Sequence, residues 1–208
     1  MWQGATVFLI GGGRSLLSFA FDFEQLRGAY VIGCNDSFKL GADLVPVITY
    51  GDDDWAVRMW DKGLSRYKGL VVTNDDKTHQ RPFPHFKVCR RCKGQLGRTP
   101  FELGWLYNTG CLAIELAAAL GGTRIVLLGF DCKTGPVKGR NNWYRERDSS
   151  VPATYKRFNK CFAMLAAQMK QKYPNVEILN AGPDSALDMW QHVKWEECQK
   201  WIGVSSVC

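Results

Sequence analysis

The sequence predicts an α/β fold: a single doubly wound, mainly parallel, Rossmann-like sheet with helices on both faces. Three observations predict it. Short apolar, partly β-branched runs stop at clusters of Gly, Asn or Asp, as fully buried parallel strands do. Between them lie helical patterns, with Leu112, Leu116 and Leu120 four residues apart and Tyr155, Phe158, Phe162, Leu165 and Met169 on one face. No repeat, low-complexity linker or composition break divides the 208 residues, so residues 1–208 read as one domain.

Each element follows from local pattern. Residues 5–10 (ATVFLI) form a buried strand entering the turn Gly11-Gly12-Gly13. Residues 30–33, 45–50 and 70–73 are the next three strands, stopping at Cys34-Asn35-Asp36, at Gly51-Asp52-Asp53-Asp54 and after Thr73. The Leu112–Leu120 helix closes at Gly121-Gly122, and residues 124–128 form a fifth strand ending at Gly129-Phe130-Asp131. A long helix covers about 153–172, residues 176–179 form a sixth strand, and Trp190 to Trp201 reads as a terminal helix. In such a sheet ligands sit beyond the carboxyl ends of the strands, which singles out Gly11–Ser15, Asn35–Ser37, Asp52–Asp54, Asn108–Gly110 and Asp131 onward.

Composition narrows the class. With 12% aromatic residues and 8 Trp, the chain has too much apolar surface to stay disordered. No apolar run approaches the roughly 18–20 residues of a membrane helix. The start MWQGATVFLI lacks a basic leader, so no signal peptide is read and a cytoplasmic setting is expected. There the 8 Cys are reduced thiols or metal ligands. The net charge of +7 is uneven. Residues 77–98 hold Lys77, Arg81, Lys87, Arg90, Arg91, Lys93 and Arg98 with no acid, and Lys133 to Arg147 is basic too. The first reads as a basic loop insertion at 76–98 and the second as part of a lid at 132–152. Two basic loops on a near-neutral body point to a polyanionic partner: phosphate groups, a nucleotide or nucleic acid.

Four motifs carry candidate chemistry. Gly11, Gly12, Gly13, Arg14 and Ser15 offer backbone N–H groups and a hydroxyl to a phosphate, or else form a turn that needs positive φ. Asp52, Asp53 and Asp54 end a strand; Asp52 and Asp54 are candidates for a divalent ion, Mg or Mn, while one Asp of the three caps the following helix. His79, His85, Cys89 and Cys92 have the residue types for a structural Zn site, with neighbouring Arg and Lys favouring the thiolates. Asn141-Asn142-Trp143-Tyr144-Arg145-Glu146-Arg147 joins aromatic rings and Arg in a long loop, suited to stacking on a base or sugar. The bland alternative is a loop pinned to the body by Trp143.

In order along the chain, these motifs resemble the small bacterial sialyltransferases, glycosyltransferase family 42. Val7 to Leu16 resembles their "GxGPSL" opening, with Arg14 in place of the proline. Val31 to Asn35 resembles their next strand, and Asn108-Thr109-Gly110 with Arg124 to Asp131 their later "SG…ALG…I.L.G.D" segment. Asn180 to Leu187 resembles the closing "PNS.L" element. Over nearly the whole chain the same order is similar to phage proteins labelled "norphogenetic protein". The resemblance implies a nucleotide-activated donor as substrate, held by the glycine loop, Arg14, Ser15, Asn35, Asn108, Thr109, Gly110, Trp143 and Tyr144. It also implies a lid supplying a His as general base. Here Trp143 aligns and no His does, which moves the base to Glu146, Asp148 or His192, with Asp131 also among the candidate catalytic groups. The expected acceptor is phage DNA carrying a modified base, in the cytoplasm of an infected bacterium; a lipid or cell-wall sugar is the rival. Two alternatives stand beside it. Pro46 to Asp54 also resembles the "P..I.TD.D" segment of pterin and thiamin diphosphokinase-type domains, implying Mg-dependent phosphoryl transfer. The third reading is a non-catalytic, nucleic-acid-binding phage protein.

Overall fold

The computed structural model describes residues 2–17, 21–77, 86–99, 101–135, 141–144 and 152–203. Its centre is β1 (Thr6–Ile10) and β8 (Arg124–Leu128), paired in parallel from Thr6 against Arg124 to Ile10 against Leu128. From β1 the sheet runs outward through β2 (Tyr30–Cys34), β3 (Val47–Tyr50), β4 (Leu70–Thr73) and β5 (Phe86–Val88). From β8 it runs the other way through β9 (Glu177–Asn180) and β10 (Gln191–His192). Every pair of these eight strands is parallel. The fold is the expected α/β, Rossmann-like sheet.

Alternation along the central strands sends side chains to two cores. Val7 and Leu9 with Ile125 and Leu127 face α2 (Thr109–Ala119) and α3 (Pro152–Lys172). Phe8 and Ile10 with Val126 and Leu128 face α1 (Asp53–Trp60) and the short α4 (Trp195–Cys198). Residues Gly110 to Ala118 of α2 are all buried, so this helix is enclosed all round, with Glu115 its one charged side chain, rather than amphipathic. It lies between the sheet and a separate pair of parallel strands, β6 (Arg90–Lys93) and β7 (Glu102–Trp105). By contrast α3 is amphipathic, burying Cys161, Phe162, Leu165 and Met169. No helix among the described residues is long and apolar enough to cross a membrane.

Two expectations are corrected. The segment expected as a basic loop insertion at 76–98 carries β5 and β6 over 86–93, because Phe86 and Val88 alternate with Lys87 in the two-residue period of a strand. Lysine on such an edge strand also keeps it from pairing with another chain. The C-terminal helix is short, since Gln191 and His192 pair with Leu179 and Asn180 before α4 begins.

Candidate functional site

Strand order reverses between β1 and β8, and the loops leaving them diverge to open a crevice. A cavity of about 640 Å³ lies there, within the size range of small-molecule sites. Gly11, Gly12 and Gly13, Asn35, Asn108, Thr109, Gly110 and Asp131 all line it, as do Asn142 and Tyr144. The after-strand residues converge. Arg14, Ser15 and Trp143 are not among the described residues that line it.

The glycine turn works differently from the sequence expectation. Gly11 N–H donates to Leu128 O at 2.8 Å and Gly13 N–H to Gly129 O at 2.7 Å, so two of the three N–H groups bind β8's end rather than a phosphate. None of Gly11–Gly13 has positive φ. Their smallness serves close approach instead. A Cβ on Gly13 would lie 2.3 Å from Asp131 Oδ1, and one on Gly11 2.4 Å from Gly129 O. Ser15 completes this joint, donating N–H to Asp131 Oδ2 at 2.8 Å and Oγ–H to Oδ1 at 2.5 Å. Burial pushes the Asp131 carboxyl above its ordinary range, against the opposing pull of the two Ser15 hydrogen bonds.

The closing motif braces the backbone that carries this carboxylate. Ala186 N–H donates to Asp131 O at 2.8 Å, and Ser185 Oγ–H to Phe130 O at 2.6 Å. Asn180 ties the turn by accepting from Gly182 N–H at 3.0 Å. On the far wall, Asn108 caps α2, its Oδ1 accepting from Gly110 N–H at 2.7 Å and Cys111 N–H at 3.3 Å. Trp143 is a pin: its Nε1–H donates to Gly11 O at 2.9 Å and its N–H to Gly12 O at 3.1 Å. That leaves Tyr144 at the cavity.

Other candidates fall elsewhere. Asp52 lines the cavity and caps α1, accepting from Asp54 N–H at 3.2 Å; Asp53 is buried, and Asp54 is exposed and not part of the lining. The two carboxylates expected to share an ion therefore do not both line the cavity. Among the described residues no three His, Cys, Asp or Glu side chains converge as a metal site. His79, His85, Glu146 and Asp148 lie outside the described residues. Cys89 is buried and Cys92 half-buried, and burial raises both thiols despite Lys87 and Arg90 nearby, so the expected favouring of thiolates is corrected. His192 is exposed on edge strand β10, its Nε2 3.1 Å from Leu187 O, and is not in the lining.

The backbone strain at the site, the inward turn of Arg91 and the presence of Arg58 and Arg157 at the cavity were not read from the sequence. Asn35, Tyr107 and Cys132 are the non-glycine residues with positive φ among those described, at 50°, 58° and 51°, and all three line the cavity. Strained backbone of this kind concentrates at functional sites. Arg91, which looked like an anion-binding charge, turns inward instead, bonding Asn74 O, Gly51 O and Asp75 Oδ2 and lying over Trp105 at 4.5 Å. Besides Arg91, the cations lining the cavity among the described residues are Arg58, Lys77, Lys133 and Arg157. Of these, Lys133 pairs with Asp184 at 2.6 Å.

No family model and no curated protein matches this sequence. Solved structures do. The sialyltransferase CstII from Campylobacter jejuni, in complex with a substrate analogue, cytidine-5'-monophosphate, superposes with a TM-score of 0.51 at 14% identity. The match covers 92% of this chain and 85% of that one. A second structure of CstII, with CMP-3FNeuAc, gives a TM-score of 0.48 at 14% identity over 90% and 84% of the two chains. This chain has the sialyltransferase's fold.

Proposed function

We propose that this chain is a nucleotide-sugar-dependent glycosyltransferase whose donor lies across the carboxyl ends of β1, β2 and β8. One observation carries the reading. The after-strand residues singled out by the sequence wall a single cavity at the switch point, in a fold shared with a sialyltransferase solved with a nucleotide. Asn35, Asn108 and Thr109 supply polar groups for ribose and phosphate, and Lys133 and Arg157 supply positive charge for the leaving group. Tyr144 offers a ring to the donor.

In the transfer, an acceptor hydroxyl oxygen attacks the donor's anomeric carbon. The bond from that carbon to the phosphate oxygen breaks, and the nucleotide departs with the bonding electrons. The acceptor's proton passes to a base. Of Asp131, Glu146, Asp148 and His192, Asp131 is the described residue that reaches the cavity, and its raised carboxyl is closer to a base's working range.

The expected phage DNA acceptor, with its modified base, rests on the basic segments. There Arg91 is turned inward and Arg90 lies 3.5 Å from Glu102, so the described residues give it little. Thermal unfolding with CMP, UDP, GDP and dTDP and their sugars tests the proposal. At least one should stabilise, by about 2.7 kcal/mol at a hundredfold excess over Kd. No shift with any of them removes the transferase reading.

A further inference from the structure

The cavity does not stop at the donor wall. It continues past β2 to the carboxyl ends of β3, β4 and the inserted β7, about three strand spacings or ~14 Å from β1. Resting on the transferase reading, we propose that this second lobe is the acceptor site and that it takes an anionic saccharide. The sugar ring would lie on Tyr107, with its phosphate or carboxylate against Arg58 and Lys77.

Two carboxylates face this lobe, and both are engaged locally. Asp52 accepts from Asp54 N–H, and Asp75 accepts from Arg91 at 2.9 Å and from Lys77 N–H at 2.9 Å. Arg91 is consumed by Asp75 and two carbonyls. Arg58 and the Lys77 ammonium are exposed, and neither is in an ion pair among the described residues. The lobe is left net positive, with two exposed cations in its lining. A single phosphate or carboxylate fits that better than an extended polyanion, which would need a longer cationic track.

The ring observation is independent. Tyr107 has φ of 58°, a left-handed backbone that strains an L-residue, yet the residue is 57% exposed. Burial does not repay that strain. Its neighbour Trp105 is not available to a ligand in the same way, because Gly51 and Arg91 pack on it. Tyr107 is the exposed ring of this lobe, held in place by the Asn108 cap next to it in the chain. Sugar rings present apolar C–H faces that lie flat on such rings, and a base could do the same.

Titration calorimetry of the full chain with glucose 6-phosphate, glucuronate, glucose and a single-stranded oligonucleotide tests this. The two charged sugars separate phosphate from carboxylate as the preferred anion. At least one should bind about tenfold or more tighter than glucose, a preference that Arg58→Gln with Lys77→Gln removes. Tyr107→Gly should weaken the charged sugar about tenfold, while its thermal midpoint stays within about 2 °C of the parent because glycine accepts the left-handed backbone. Equal binding or no binding of the charged sugars, an unchanged preference in the double variant, or binding of the oligonucleotide alone overturns the proposal. So does a Tyr107→Gly variant that loses nucleotide protection instead of sugar binding. Loss of the donor reading is distinct, since it appears as no nucleotide shift in the parent chain.

Discussion

Two carboxylates, Asp131 and Glu115, each accept two short hydrogen bonds, Asp131 at the wall of the cavity and Glu115 away from it. Glu115, 1% exposed on α2, accepts from Gly97 N–H at 2.7 Å and Gly104 N–H at 2.5 Å and meets Lys172 at 3.3 Å. It is closed on every side and fastens the β6–β7 unit to the body. Asp131 accepts both Ser15 donors but is only half-buried and opens on the cavity. The chemistry is the same and the surroundings differ. A carboxylate enclosed all round serves as an anchor, whereas one with an open side serves as the wall of a site.

Breaking the anchor should cost most. Glu115→Gln leaves one backbone N–H facing an amide donor and Lys172 without its partner, a loss of about 2–4 kcal/mol once solvent screening of the partly exposed lysine is allowed for. Denaturant midpoints measure it, and a loss under about 1 kcal/mol would show that β6–β7 is held by something else. Nucleotide protection of the folded fraction should persist. Next comes Gly13→Ala, whose Cβ would meet Asp131 Oδ1 at 2.3 Å and Gly129 O at 2.5 Å. It should destabilise by about 1–3 kcal/mol and weaken nucleotide protection with it. Gly182→Ala, with its nearest contact at 3.2 Å and no positive φ, is the control and should stay within about 0.5 kcal/mol. Equal effects at the two glycines would deny the close joint between β1 and β8.

The central strands and the site wall were legible for one reason: buried parallel strands are written as apolar runs, and the residues just past each run face the crevice. Gly11–Gly13, Asn35, Asn108 and Asp131 were found that way. The role of the glycines was not legible, because a string of residues does not distinguish a turn needing positive φ from one needing room for Asp131. The β5–β7 region was hidden by its charges, since Phe86-Lys87-Val88 is a short alternation inside a stretch that otherwise reads as basic loop. Arg91 shows the same limit from the other side: its inward turn depends on Gly51, Asn74 and Asp75, far apart in sequence. Nothing local marks Tyr107 as left-handed. Even so, recognising β7 would have put it among the after-strand residues.

Asp131→Asn should have a smaller effect, about 1 kcal/mol, because one of the two Ser15 bonds survives. Its pH dependence separates it from a salt-bridged carboxylate. Burial raises the folded carboxyl, so the folded state holds its proton more tightly than the unfolded chain. The parent's stability from this group is therefore greatest at acid pH and declines as pH rises through the raised value. The gap between parent and Asp131→Asn midpoints should narrow from about pH 4 to pH 7. A gap that widens instead would mean the Ser15 hydrogen bonds outweigh burial.

The smallest effects concern thiols, and they carry the comparison into chemistry. Cys34 and Cys132 line the cavity, and burial pushes both up to about 12, so they stay protonated and slow toward iodoacetamide at neutral pH. Cys92, on β6, is half-buried and should react ahead of them without loss of stability. That same residue tests the proposed zinc site of His79, His85, Cys89 and Cys92. If zinc holds the loop, protein as purified should contain about one zinc per chain, and chelation should speed labelling of Cys92 and then Cys89. Labelling of Cys92 that is already fast and indifferent to chelator would leave the insertion anchored by side chains such as Glu115, Arg91, Asn74 and Gln168. In that case the two regions share one device, a charged side chain gathering polar groups, and differ in whether that side chain is enclosed or opens on the cavity.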